Sequence, residues 1–126
     1  MILQELKDYI KTVQTFDKDA GQDATVLHQY LIQLTNFMAR ANGLMAEYGK
    51  KARDQKKVAY QNLFLSMQSQ KKMFSPMLAK DYVDSQCSEV LEVYDTAERL
   101  SRLCTHTMDA VRTIISSLKS ERQFSY

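Results

Sequence analysis

The sequence predicts an all-α protein, and three observations support that class. The 126 residues include three glycines and one proline, so the residues that interrupt helices most strongly are scarce. Apolar residues return every three or four positions through most of the chain. No stretch alternates apolar and polar residues for long enough to predict a strand. The length is that of one domain, residues 1–126.

The first two helices follow from apolar residues at helical spacing. The first is predicted over about residues 2–16, and Gly21 in the connection after it is a natural C-terminal stop. The carboxylate of Asp23 can accept from the free amides that open the second helix, predicted over about residues 23–74. We expect that helix to be continuous through its glycines. Its apolar stripe comprises Leu27, Leu31, Leu34, Met38, Ala41, Met45, Tyr48, Ala52, Ala59 and Leu63.

The third helix, predicted over about residues 77–122, has the most regular pattern of the chain. Pro76 disfavours helical geometry at Ser75 but suits the first turn of a new helix. Two series of residues, each spaced by seven and offset by four, then form a sustained a/d heptad seam. The series are Val83, Val90, Ala97, Cys104, Val111 and Leu118, and Cys87, Tyr94, Ser101, Met108 and Ile115.

The predicted architecture is a short N-terminal helix beside a long antiparallel helical hairpin, a coiled-coil stem. A turn at residues 75–77 makes the two long helices antiparallel, with facing positions whose numbers sum to about 152. The first helix folds back over the start of the second.

More apolar surface is present than a two-helix stem can cover, because a helix that is apolar on several sides requires several neighbours. We therefore predict a homo-oligomer, most simply a dimer that forms a four-helix bundle. The alternative is that the first helix reaches further along the stem. The predicted interface residues are Tyr60, Phe64, Met67, Phe74, Val93 and Leu100.

One segment of the chain is strongly basic. Residues 49–74 carry seven basic side chains and one acidic one, whereas the net charge of the chain is +2. We name its first part the basic ridge; it could hold a phosphate backbone, or it could pair with the acids predicted to face it, Glu89, Glu92, Asp95 and Glu98. Its spacing does not match a phosphate-binding loop of the GxxxxGK(S/T) type. The basic ridge comprises Lys50, Lys51, Arg53, Lys56 and Lys57.

No catalytic or metal-binding constellation is predicted, and neither is a cofactor. Cys104 and His106 are two residues apart, a spacing that turns side chains to different sides of a helix. We find no three or four converging ligands for a metal. A second candidate binding surface lies on the third helix, either a solvated face with internal ion pairs or a contact surface for a protein or an anion. We name it the polar face: Arg99, Arg102, His106, Asp109 and Arg112.

Residues 97–121, AERLSRLCTHTMDAVRTIISSLKSE, resemble a loose family of small, uncharacterised helical proteins of tailed phages and prophages. The shared pattern is ER followed by TH-x-x-D-x-x-R-T-x-x-S-x-L-K-x-E. Residues 51–60, KARDQKKVAY, resemble the basic helix that these proteins carry upstream. The resemblance implies a phage or prophage origin and genes for recombination or single-strand binding nearby; it implies no activity.

From the sequence we expect a non-enzymatic, homo-oligomeric interaction protein that works in the cytoplasm of a bacterial host. Its partner would be a phage or host macromolecule, in DNA replication or recombination or in a host defence that it inhibits. One alternative is a nucleic-acid-binding accessory protein that uses the basic ridge. Another is a sponge that sequesters an anionic nucleotide between subunits with Arg99, Arg102 and Arg112. No run of 18 apolar residues predicts a membrane span, and the acidic N-terminal segment is unlike a signal peptide.

Overall fold

The structure is a computed structural model that describes residues 1–16 and 23–124, with side chains described as far as residue 121. All regular secondary structure in these ranges is α-helical, which confirms the predicted class. Gly21, predicted to act as a helix stop, lies outside the described residues. The helices are α1 (Ile2–Gln14), α2 (Ala24–Gln70), α3 (Pro76–Gln86) and α4 (Ser88–Phe124).

Helix α2 begins as predicted but ends earlier than predicted. The backbone N–H of Thr25 donates to Asp23 Oδ1 at 3.0 Å, so the carboxylate caps the first turn. The helix ends at Gln70, not at residue 74, because Lys71 takes a φ of 55°, in the left-handed region. The N–H of Lys72 then donates back to Met67 O at 3.2 Å, the closing bond of a left-handed helix stop.

The third predicted helix is two helices, which corrects its expected bounds of about 77–122. Helix α3 starts as expected, with Pro76 in its first turn and Ser75 Oγ accepting from the N–H of Leu78 at 3.2 Å. It stops at Cys87, whose N–H donates to Asp84 O, and α4 follows at once. Serine hydroxyls compete with the helical backbone, and Ser85 Oγ donates to Tyr82 O at 2.6 Å just before the break.

The pairing of α2 with α4 and α3 is antiparallel as predicted, but its register differs. Ser101 Oγ donates to Asn42 Oδ1 at 2.9 Å, and Lys56 Nζ lies 3.7 Å from Asp84 Oδ1. Facing positions therefore sum to about 140–143 and not to the predicted 152. The shift follows from the early end of α2, because residues 71–74, which were predicted to be helical, belong to the connection.

The chain forms two compact units. The terminal unit comprises Met1–Gly43 and Thr96–Tyr126, and the central unit comprises Leu44–Asp95. The boundaries fall inside α2 and inside α4, so neither lies in a linker. The expectation of a single domain stays a prediction.

In the terminal unit α1 packs antiparallel to the first part of α2, as predicted. The rings of Tyr9 and Phe37 stack with centroids 4.4 Å apart, and those of Phe16 and Tyr30 stack at 4.3 Å. In these pairs the residue number rises along the first segment as it falls along α2, so the two run in opposite directions. Buried residues of this unit include Leu6, Val13, Leu27, Leu34, Ala41, Ala97, Leu100, Cys104, Met108, Val111 and Ile115.

In the central unit α2 packs on α3. Ala59 and Leu63 form a buried cluster with Val83, and Met67 and Ala79 pack against it. Leu44 and Cys87 are also buried, and Leu44 was missing from the predicted stripe. Positions of the predicted heptad seam are buried in both units, and this burial confirms the seven-residue period.

An ion pair between α1 and α2 makes the terminal unit sensitive to acid. Arg40 donates to Glu5 through Nε at 3.0 Å and Nη2 at 3.2 Å, and the Tyr9 hydroxyl donates to Glu5 at 2.8 Å. The Arg40 guanidinium, with the Tyr9 hydroxyl, lowers the pKa of Glu5 below its ordinary value. A lowered pKa stabilises the fold above the ordinary value, near 4.5, and that stabilisation is lost as the pH falls through the folded value.

We expect Glu5→Gln to lower the free energy of unfolding by about 1 kcal/mol at pH 7, the magnitude of a partly exposed charge-assisted pair. The difference from the wild type should be smaller at pH 3 than at pH 7, because Glu5 takes up its proton as the pH falls through its lowered pKa. Urea unfolding at both pH values measures this difference in free energy, with Asp8→Asn on the same helix as the control. An equal difference at both pH values would contradict the role of the ion pair.

The two glycines inside α2 have different surroundings, and α2 is continuous through both. A Cβ at Gly43 would meet no atom within 4 Å, whereas one at Gly49 would lie 3.3 Å from Tyr94 Cε2. We expect Gly43→Ala to raise the free energy of unfolding by about 0.5–1 kcal/mol through helix propensity. Gly49→Ala should gain less, because the Tyr94 ring must shift. Thermal unfolding of both variants measures this order, and a larger gain at Gly49 would contradict it.

Candidate functional site

The described residues hold no arrangement typical of catalysis or metal binding. Within residues 1–16 and 23–121, no three His, Cys, Asp or Glu side chains come together to hold a metal ion. Cys104 is buried in the core, and this burial raises the pKa of its thiol to about 11, whereas His106 is exposed. A thiol that stays protonated is a poor nucleophile. None of the described helices has a stretch long and apolar enough to cross a bilayer.

The basic ridge lies on α2 in the central unit, and two of its five cations have partners. Lys51 Nζ lies 3.3 Å from Glu47 Oε1, one turn earlier, and 4.5 Å from the centre of the Tyr48 ring. Lys56 pairs with Asp84 of α3. Lys50, Arg53 and Lys57 are exposed and form no ion pair with another described residue.

The prediction of which acids neutralise the basic ridge is wrong in part, because the register of the helices differs from the predicted one. Asp84, which pairs with Lys56, was not among them. Glu98, which was, binds Arg102 of its own helix at 2.7 Å. With the observed register the ridge faces the region before residue 95.

An open groove of about 520 Å³ runs beside the ridge, between α2 and α4 of the central unit. Arg53 and Lys56 line one side of it, and Tyr94 lies on the other against the backbone of Gly49. The rest of the lining is apolar and includes Leu91. The groove thus places two cations and an aromatic ring together, groups that bind phosphates and stack on bases.

The polar face on α4 divides into two parts. Arg99, Arg102 and His106 line one groove, together with residues of α1. Arg112 instead lies among the serines and threonines of the last turns, 3.8 Å from the carboxylate of Asp109. The helical spacing predicted the first group, but it did not predict the contribution of α1.

The central unit exposes an unusual number of large apolar side chains around the α2–α3 connection. We name them the tip surface; each is between 42% and 95% exposed. Single exposed apolar residues are normal on a protein surface, whereas nine in one part of a unit are not. The tip surface comprises Val58, Tyr60, Phe64, Leu65, Met73, Phe74, Met77, Leu78 and Tyr82.

The tip surface has two sides. Val58 and Leu65 are seven residues apart and therefore share one side of α2, where Val58 and Tyr82 line a shallow groove. Tyr60 and Phe64, four residues apart, share another side of α2. The sequence prediction named Tyr60, Phe64 and Phe74 of this surface. It missed Val58 and Leu65 of α2 and the members on α3, although their apolar character was legible in the sequence.

Three of the predicted interface residues lie elsewhere. Leu100 is fully buried inside the terminal unit, so its assignment to an oligomer interface is wrong. Leu100 lies outside the predicted two-helix seam, so the seam alone did not predict its burial. Met67 and Val93 are half-buried, and Met67 packs against the core cluster of the central unit.

The segment that resembles phage proteins lies on α4. Its apolar members, such as Cys104 and Val111, are buried, and its polar members, such as Arg112 and Lys119, are exposed. This division is what any amphipathic helix requires, so the relation to phage proteins stays a prediction. Comparison of the chain with protein-family models, with curated proteins and with solved structures finds no match.

Proposed function

We propose that this chain is an interaction protein without catalytic activity, which forms a homodimer through its tip surface. The observation that carries the proposal is the exposure of nine large apolar side chains in one part of the central unit. Such exposure carries a free-energy cost in water, and association removes it. As the resemblance to phage proteins suggests, its setting would be the cytoplasm of a bacterial host, and its partner a phage or host macromolecule.

The size of the tip surface fits a dimer. A fully exposed large side chain offers about 150–200 Å², and the tip residues are roughly half exposed, so the two sides of the tip surface together offer on the order of 800 Å², and one side alone about half of that. A specific protein interface of standard size buries about 800 Å² on each partner. A two-fold interface of this kind needs no second type of chain.

The chemistry of the tip surface also favours a second copy. Residues 58–70 and 73–79 contain no charged side chain, and the two charges between these ranges, Lys71 and Lys72, are exposed in the connection. Depletion of charge is the compositional mark of an interface core. Two copies can therefore meet along this part of α2 and α3 without burying unpaired charges, and two hairpins side by side form a four-helix bundle.

Charged substitutions on each side of the tip surface test the proposal. Leu65→Glu with Leu78→Glu changes one side of α2 together with α3, and Tyr60→Glu with Phe64→Glu changes the other side of α2. At least one pair should convert a dimer to a monomer in sedimentation velocity, since burying unpaired carboxylates costs several kcal/mol. Ile32→Glu, which alters an exposed isoleucine of the terminal unit, is the control and should leave the dimer unchanged. A dimer that survives both pairs would contradict the assignment of the surface.

The basic ridge supports a second candidate function, binding of a nucleic acid. Lys50, Arg53 and Lys57 are exposed without ion pairs to described residues, and the groove beside them contains Tyr94. Exposed cations of this kind release counterions when they meet a phosphate backbone, which makes the affinity fall steeply with salt.

A labelled single-stranded oligonucleotide tests this second function. Binding at about 50 mM salt should weaken strongly at about 200 mM. Replacing Lys50, Arg53 and Lys57 with glutamine should reduce both the affinity and the salt dependence. Arg112→Gln removes a basic charge from another helix and is the control. Absence of binding at the lower salt concentration would remove the nucleic-acid function without affecting the dimer.

A further inference from the structure

Two recesses adjoin in the terminal unit, between α1 and α4. The first is a groove of about 320 Å³ lined by both helices, and it contains Arg99, Arg102 and His106 of the polar face. The second is a cleft of about 450 Å³ at the C-terminal end of α1 and the start of α2. Gln14 and Leu103 line both recesses, so the two are immediate neighbours, and we name them together the depression.

The groove is rich in positive charge. Arg99 and His106 form no ion pair with another described residue, and both are exposed. Arg102 binds Glu98 through one Nη2 atom, which leaves its other N–H groups available to a ligand. Lys7, one turn before the lining residue Ile10, lies on the same side of α1. Guanidinium groups in this arrangement recognise a carboxylate or a phosphate.

The adjoining cleft is apolar. Its lining brings together the stacked rings of Phe16 and Tyr30, and small side chains such as Ala110 leave it open. Its few polar side chains offer little to a sugar or another hydroxyl-rich group, which would lose its hydrogen bonds to water there. The other lining residues are Val13, Gln14, Leu27, Leu103, Thr107, Val111 and Ile114.

We propose that this depression binds a small amphiphile with an anionic headgroup. The carboxylate or phosphate of the ligand lies on Arg99, Arg102 and His106, and its hydrocarbon chain fills the cleft. The juxtaposition of a basic groove with an apolar cleft carries the inference, since neither a bare anion nor a neutral hydrocarbon would use both. The combined volume is in the range of small-molecule sites. This site is independent of the tip surface.

Calorimetric titration of the full chain with decanoate and with decyl phosphate, below their micelle concentrations, tests the site. We expect saturable one-to-one binding of at least one of them, and the comparison identifies the headgroup. Decanol and inorganic phosphate, which each supply half of the ligand, should bind at least about tenfold more weakly, a difference of about 1.4 kcal/mol.

Variants on each half of the depression locate the ligand. Arg99→Gln with His106→Gln should weaken binding at least about tenfold by removing headgroup contacts. Ala110→Phe should do the same by filling the cleft from an exposed position. Arg112→Gln, on the same helix outside the groove, should bind like the wild type.

Chemical-shift mapping on the wild type keeps the test independent of how the variants fold. Ligand should perturb the amides of Gln14, Arg99 and His106 together with those of Thr107 and Ala110. The proposal is overturned if no anionic amphiphile binds at millimolar concentration, if decanol binds as tightly as decanoate, or if the perturbed amides lie elsewhere.

Discussion

Replacing Leu100 with alanine is expected to lower the free energy of unfolding by about 2–5 kcal/mol. Leu100 has no exposed surface in the terminal unit, so the substitution removes buried methyl groups and leaves a cavity. This loss would be a large share of the stability of a domain of this size. The expected effect is on folding, because a residue with no exposed surface has nothing to offer a partner.

Urea unfolding at a fixed protein concentration measures the effect of Leu100→Ala. The midpoint should fall while the slope with urea stays unchanged. Ile32→Ala, a similar truncation at an isoleucine that is 64% exposed in the same unit, should change the free energy by no more than about 0.5 kcal/mol. If the Leu100→Ala protein unfolded like the wild type but had a different molar mass in solution, the assignment of Leu100 to an oligomer interface would be supported instead.

The thermal midpoint is expected to rise with protein concentration, because a dimer that forms only from folded chains stabilises the fold. When the free chain reaches about 100 times the dissociation constant, the stabilisation is about 2.7 kcal/mol. For a chain of this length that corresponds to a rise of roughly 10 °C in the midpoint.

Differential scanning calorimetry over a hundredfold range of concentration measures this rise. The Leu65→Glu, Leu78→Glu pair and the Tyr60→Glu, Phe64→Glu pair provide the comparison. Whichever pair disrupts the dimer should have a midpoint that no longer depends on concentration. A constant midpoint for the wild type would mean that unfolding is not coupled to association.

The sequence predicted the helices well because their signals are local and repeated. The seam through Ala97, Cys104 and Val111 appears as a seven-residue period, and these residues are buried. The cap at Asp23 was equally legible, since its carboxylate stands at a helix start. The cap at Ser75 was not predicted, although Pro76 marked the helix start there.

The register could not be predicted, because it depends on a single backbone conformation. Lys71 takes the left-handed φ that usually requires glycine, and nothing in the residue type announces it. The early end of α2 moves every pairing along the hairpin, and so Lys56 meets Asp84. The break at Cys87 is of the same kind, since serines beside it permit a helix end without requiring one.

The sequence predicted which residues of one helix form a candidate site, but it did not predict which residues of a neighbouring helix join them. The spacing of Arg99, Arg102 and His106 placed them on one side of α4, as the groove has them. That Ile10 of α1 lies opposite depends on the tertiary packing.

Sedimentation equilibrium of the wild-type protein at tens of micromolar tests the central claim, association through the tip surface, most directly. We predict a molar mass of twice the 14.6 kDa of the chain. A single species of 14.6 kDa over the whole concentration range would contradict the claim.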